Sequence, residues 1–352
     1  MAFFACDGTQ VTDIDFVELR CGNAIALSYL LCAGLGFSPF AERNPVVDTT
    51  VSYLCRILRQ GHLNIAVTSA ALPPADTSPC PPDDSTTGSA AAHIAASVNI
   101  LGDTISDIAF TVSDVESAFA RAIAHGAHPV ASPATRRDGN GEIRRARVSA
   151  PGHAGEHLVH TLIERSNYHG HWAPGYQPIN NPRHAELQPP SDLGVTHLHE
   201  VILDVPTGTG ESCAAGYARQ FGFDIQTLDP TTRGAPTWLV SGPAPQITII
   251  ILESALRSRC TTPGNAEPEE KRAPSGPTVG AISLAVRDIA HTDHQLTRRH
   301  LQHTGQTTYP ATAASPSREN REQPYALTRT RSHRTGQPGC RISTAPLSPR
   351  SN

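Results

Sequence analysis

The sequence predicts an α+β protein in which one fold is built twice, and three observations carry that expectation. Strand-like segments recur in matching surroundings. Ile14-Asp15-Phe16-Val17-Glu18-Leu19 opens a module that later contains Asp107-Ile108-Ala109-Phe110-Thr111-Val112; Leu198-His199-Glu200-Val201-Ile202-Leu203 opens another that contains Ala281-Ile282-Ser283-Leu284-Ala285-Val286. The opening strand of each is followed by a helix that stops at a Gly-Phe pair, Gly36-Phe37 and Gly222-Phe223. With 352 residues, 38% of them hydrophobic, the chain is long enough for two cores.

In the first module, residues 14 to 21 alternate as a strand. Asn23 is placed to cap a helix whose Leu27, Leu30, Leu31 and Leu35 recur at helical spacing. Thr50 to Leu58 and Leu63 to Val67 read as two strands joined across Gly61. Pro73 to Gly88 lacks any apolar period and reads as an exposed loop. A second half follows: a strand from Ile105 to Val112, a helix capped by Asp114 and running to Gly126, and strands at Arg144 to Val148 and His157 to Glu164. The first half of the chain thus fits two βαβββ units.

Ser166 to Pro190, rich in Pro, Gly, Asn and His, reads as a connection. The second module repeats the plan with strands at Leu198 to Val205, Thr237 to Val240, Ile247 to Leu252 and Ala281 to Val286, and a helix around Ala214 to Gln220. The domain expectation is 1–165, a linker at 166–190, an incomplete second domain at 191–290, and a disordered tail at 291–352. Thr, Arg, Ser, Pro, Gln and His dominate that tail, which lacks the apolar surface to offset ordering at about 1–2 kcal/mol per residue. A reading-frame change is the favoured explanation for the abrupt loss of pattern, and a natural extension is the alternative. An incomplete second sheet would expose an edge and an apolar face, so low solubility or reliance on a partner chain is expected.

A formal net charge of -4 argues against nucleic acid or an anionic membrane as partner. The eight cysteines have no CxxC or regular spacing, so the expectation is reduced thiols packed as small apolar groups. No signal-peptide pattern and no apolar run of about 18 residues is present, which leads to a cytoplasmic expectation. Lys271 is the only lysine, a usage that fits a G+C-rich gene and has no functional weight.

Three blocks point to a known family: Asp15-Phe16-Val17-Glu18 with Gly22-Asn23-Ala24; Gly102-Asp103-Thr104-Ile105-Ser106-Asp107-Ile108-Ala109-Phe110; and His160-Thr161-Leu162-Ile163-Glu164-Arg165-Ser166-Asn167-Tyr168, continued by Pro174-Gly175-Tyr176. Over roughly residues 12 to 290 the chain resembles 4-hydroxyphenylpyruvate dioxygenase and hydroxymandelate synthase, of the vicinal oxygen chelate superfamily. The resemblance implies tandem vicinal-oxygen-chelate domains and an aromatic 2-oxoacid as ligand. It also implies a structural first domain and one Fe(II) held in the second by two histidines and a glutamate on one face.

In the register that the resemblance gives, the first histidine position holds Glu200 and the second holds Ser283, while the glutamate falls in the tail. A serine hydroxyl is a poor Fe(II) ligand and one carboxylate cannot hold the ion against water, so a family-type iron site is not expected. His197 becomes a ligand only in a slipped register, because period-two alternation puts it opposite Glu200. Leu252-Glu253-Ser254-Ala255 stands where the family has an Asn-Glu-Pro-Ala pocket motif. In the first half the equivalent positions are Phe16, Ala109 and Glu164. The run His153, His157, His160, His169 and His171 reads as solvated, and Thr207-Gly208-Thr209-Gly210 as a turn into a helix. Two functions stay open: a 4-hydroxyphenylpyruvate dioxygenase-like oxidoreductase of aromatic amino acid metabolism, and a non-catalytic binding or scaffold paralogue, with homo-oligomerisation possible for either.

Overall fold

The computed structural model describes residues 11–44, 46–47, 50–71, 86–153, 155, 157–179, 193–228, 236–244, 247–254, 276–299 and 323–328. In chain order the elements are β1 (Val11–Arg20), α1 (Ala24–Leu35), β2 (Ser38–Arg43), β3 (Val46–Val47), β4 (Thr50–Val51), β5 (Tyr53–Gln60), β6 (Leu63–Ala70) and α2 (Thr86–Leu101). Next come β7 (Thr104–Val112), α3 (Val115–Ala124), β8 (Pro129–Asp138), β9 (Gly141–Ser149), β10 (Val159–Tyr168) and β11 (Gln177–Pro178). The remainder is β12 (Val195–Pro206), α4 (Gly210–Phe221), β13 (Asp224–Leu228), β14 (Thr237–Ser241), β15 (Thr248–Ser254), β16 (Thr278–Val286), α5 (Ile289–Arg298) and β17 (Gln323–Thr328).

The helix boundaries follow from capping chemistry. Asn23 Oδ1 accepts from the Ala26 N–H at 3.0 Å, and Asp114 Oδ1 accepts from the Ser117 N–H at 3.0 Å. Gly36 and Gly222 end α1 and α4 in the left-handed region, φ 83° and 75°, which a residue with a Cβ adopts only at a cost. The turn before α4 has no side-chain cap of its own. The Glu253 carboxylate at the end of β15 accepts from the Gly210 N–H at 2.8 Å instead, a negative charge on the positive helix end.

The strands form a nine-stranded sheet in the order β11-β2-β5-β6-β1-β7-β10-β9-β8, a six-stranded sheet in the order β13-β14-β15-β12-β16-β17, and the β3-β4 ribbon. The βαβββ unit is visible in the registers. β7 and β10 are parallel, with Leu162 opposite Phe110, and β12 and β15 are parallel, with Val201 opposite Ile249. By contact density the chain divides into two units, one of Met1–Val17, Ser106–Pro174 and His199–Gly280, the other of Glu18–Ile105, Gly175–Leu198 and Ala281–Asn352.

In the first unit α4 lies on β14 and β15, and α3 on β9 and β10. Ile108, Phe110, Leu162, Val201, Leu203 and Tyr217 are fully buried there. In the second unit α1 lies on β5 and β6, and Leu31, Leu35, Phe37, Leu58, Ile65 and Val67 make the core.

Four expectations need correction. The loop read from Pro73 to Gly88 ends early, because a helix that the sequence reading missed, α2, begins at Thr86. β2 and β8 are further strands without an apolar alternation to announce them. The tail read from residue 291 begins inside α5, where Thr292 and Leu296, one helical turn apart, are buried. Residues 323–328 pair antiparallel with β16, placing Ala326 opposite Ser283, and the rest of the tail lies outside the described residues.

Candidate functional site

Glu200 and Ser283, the two family ligand positions, lie on β12 and β16 and are both buried. Glu200 belongs to the first unit and Ser283 to the second. The Glu200 carboxylate lies 3.8 Å from His199 Nε2, whose ring is the more exposed partner. His197 is half-buried, its Nδ1 3.0 Å from the Thr196 hydroxyl, which also reaches the Ala285 carbonyl. Strand alternation keeps it off the Glu200 face.

That alternation adds a residue the sequence reading passed over. Glu200, Ile202 and Asp204 share one face of β12, and the register sets Ile202 beside Ile250 and Asp204 beside Leu252, aliphatic neighbours that withhold solvation. Burial there pushes the Asp204 carboxyl up to about 6. Gly280 makes room for it, since a Cβ at that position would fall 2.3 Å from Asp204 Oδ2. The period-two spacing from Glu200 was the signal that could have found Asp204.

A hard divalent iron needs three strong donors on one face. Among the described residues no group of three or more His, Cys, Asp and Glu side chains is placed to hold a metal ion. A carboxylate at 200 and a neutral hydroxyl at 283 do not fit the family's iron. The equivalent positions of the first half are occupied otherwise. The Phe16 ring meets the Trp172 ring edge-on at 6.1 Å, Ala109 is fully buried, and Glu164 Oε1 accepts from the Ser166 hydroxyl.

The histidine run separates. His169 and His171 are exposed, and His153 and His157 are half-buried and stacked at 5.5 Å. His160 corrects the solvated reading: it is fully buried and stacked on Phe110 at 4.7 Å. Its Nδ1 lies 2.9 Å from the Ile108 carbonyl, so Nδ1 carries the proton, and Nε2 accepts from the Tyr217 hydroxyl at 2.9 Å. Burial pushes the ring down to about 4, keeping it neutral. Both ring nitrogens are satisfied, so His160 ties the core together.

The fold is of the tandem vicinal-oxygen-chelate kind, and a triple mutant of 4-hydroxymandelate synthase from Streptomyces coelicolor superposes with a TM-score of 0.58, covering 83% of this chain and 76% of that one at 24% identity. A xylose isomerase-like TIM barrel/4-hydroxyphenylpyruvate dioxygenase fusion protein gives a TM-score of 0.51, covering 83% of this chain and 39% of that one at 14% identity.

Sequence narrows the class further, and the resemblance to 4-hydroxyphenylpyruvate dioxygenases is borne out. The chain is 31% identical over 164 residues to the 4-hydroxyphenylpyruvate dioxygenase of Aspergillus fumigatus, covering 46% of this chain and 38% of that protein. It is 32% identical over 170 residues to that of Caenorhabditis elegans, 48% of this chain and 38% of that one. The matched part thus spans about two fifths of these curated relatives' length. No family model matches the chain.

Proposed function

We propose that this chain is a 4-hydroxyphenylpyruvate dioxygenase-like protein that keeps the fold for an aromatic 2-oxoacid but not the two-histidine, one-glutamate iron centre, and so binds such an acid without oxygenating it. One observation carries the reading. The ligand positions hold Glu200 and Ser283, and Asp204 adds a second carboxyl to the Glu200 face. The division into a first domain at 1–165 and a second at 191–290 is part of this proposal, as is a cytoplasmic setting. No helix among the described residues is long and apolar enough to cross a membrane. Self-association belongs to it too. Helix α1 has no charged residue and exposes Ile25 and Tyr29, so Tyr29→Glu should lower the sedimenting mass of any homo-oligomer.

The rival reading, an active oxygenase, draws support from the relatives' names. Melting the protein with and without 4-hydroxyphenylpyruvate, in air and without added metal, tests the proposal. Saturable stabilisation with the acid recovered unchanged is the expected result. Consumption of the acid, or no stabilisation at any concentration, would refute it.

A further inference from the structure

The second unit contains a buried cation two of whose nitrogens lack acceptors. Arg20, the last residue of β1, is 5% exposed, and its Nε and Nη1 are buried without a hydrogen-bond partner. Its nearest anion, Glu18 Oε2, lies 3.4 Å from Nε, an ion pair without hydrogen-bond geometry, and Glu18 Oε1 is taken by the Thr68 hydroxyl at 2.8 Å. A guanidinium carries five N–H donors in a fixed fork and accepts no hydrogen bond itself. It needs a further acceptor.

The surroundings suit an organic anion. Alternation puts Glu18 and Arg20 on one face of β1, with Thr68 bonded to Glu18. The β5–β6 register adds Cys55, opposite Thr68, and Tyr53, opposite the small Ala70. Arg43 lies opposite Cys55 in the next strand. The Tyr176 hydroxyl donates to Cys55 Sγ at 3.3 Å. The Arg43 charge acts on both Cys55 and Tyr176, and burial holds both of those groups protonated. The face therefore sets the Arg20 and Arg43 guanidinium charges against the Glu18 carboxylate, with two phenol rings beside them, while Arg59, further along β5 on the same face, gives its Nε–H to Asn64 Oδ1. Tyr53 and Arg43 are half-buried, so the face has a solvent side.

We propose that this face of β1, β6, β5 and β2 is a binding site for a small aromatic carboxylate, with Arg20 as its buried anchor and Arg43 as the second charge. The site shares no residue with the Glu200 and Ser283 positions, and the proposal does not depend on the function argued above.

Benzoate is a suitable probe. Calorimetric titration of the full chain should give saturable binding, weakened at least about tenfold in Arg20→Met, the scale of a lost charged hydrogen bond. In Glu18→Gln the competing carboxylate is gone, so binding should tighten severalfold. This second variant keeps the test open if Arg20→Met does not fold. Binding that ignores both substitutions would overturn the proposal and leave the β12 face as the benzoate site. No saturable binding, or a crystal structure soaked in benzoate with only water at Arg20 Nη1, would overturn it as well.

Discussion

Arg165 and Asp15, 150 residues apart in the chain, form a two-pronged ion pair, Nε to Oδ2 at 2.6 Å and Nη2 to Oδ1 at 2.8 Å. The guanidinium lies over the Trp172 ring at 4.3 Å and donates to the Trp172 carbonyl. Two blocks that the sequence offered as separate motifs are thus one contact, which explains why Arg165 cannot be any cation. Lysine has neither the fork nor the flat face. Arg165→Lys should therefore lower stability by about 1–3 kcal/mol, read as a shift in the urea midpoint at constant slope.

The bond between Tyr217 and His160 sets an acid limit on the fold. His160 is held down to about 4, whereas an unfolded histidine titrates near 6.5, so between these values the unfolded chain binds more protons. The His160 contribution is complete above pH 6.5 and is lost as the pH falls toward 4, on the order of 3 kcal/mol. Tyr217→Phe leaves Nε2 unsatisfied in an aromatic core and should cost a further 1–3 kcal/mol or about that at pH 7. Melting curves between pH 7 and pH 4 check both; a flat pH profile would contradict them.

Asp204 works in the opposite direction. Its folded value of about 6 lies above the unfolded one near 3.9, so the folded chain binds the extra proton and stability falls as the pH rises from 4 to 6. Because Asp204 keeps some solvent contact, the amount is reduced to about 1–2 kcal/mol. Asp204→Asn should remove this slope and stabilise the protein at pH 7, measured by denaturant titration at pH 4 and pH 7.

The described cysteines should be inert in the folded chain. Cys21, Cys32, Cys55 and Cys213 are buried thiols outside any disulfide, and burial pushes Cys32 and Cys55 up to about 11 and Cys213 to about 12. Thiolate is the reactive form, so alkylation followed by peptide mapping should label these four only after denaturation. Cys6, Cys80, Cys260 and Cys340 lie outside the described residues.

Much of the fold was legible where a local signal marked it. Asn23 and Asp114 announced their helices, and Gly36 and Gly222 closed two of them. What escaped lacked such a signal. Helix α2 is more than half Ala, Ser and Thr, with only Ile94 and Leu101 as large buried residues, so no period stands out. Strand β8 is almost wholly exposed and shifts register twice against β9, which erases its alternation. His160 was misread because histidines cluster around it in sequence, whereas its core partners, Phe110 and Tyr217, come from distant segments. Arg20 escaped because a strand that also carries Asp13, Asp15 and Glu18 looks half-solvated until the strands around it are in place.

The most direct test of the central claim, that Glu200 and Ser283 do not make an iron site, is anaerobic reconstitution with Fe(II), desalting, and measurement of bound iron and oxygen uptake with 4-hydroxyphenylpyruvate. The expected result is iron well below stoichiometric and no oxygen uptake above the protein-free control. One tightly held iron per chain, with oxygen consumed in proportion to the 2-oxoacid, would contradict it.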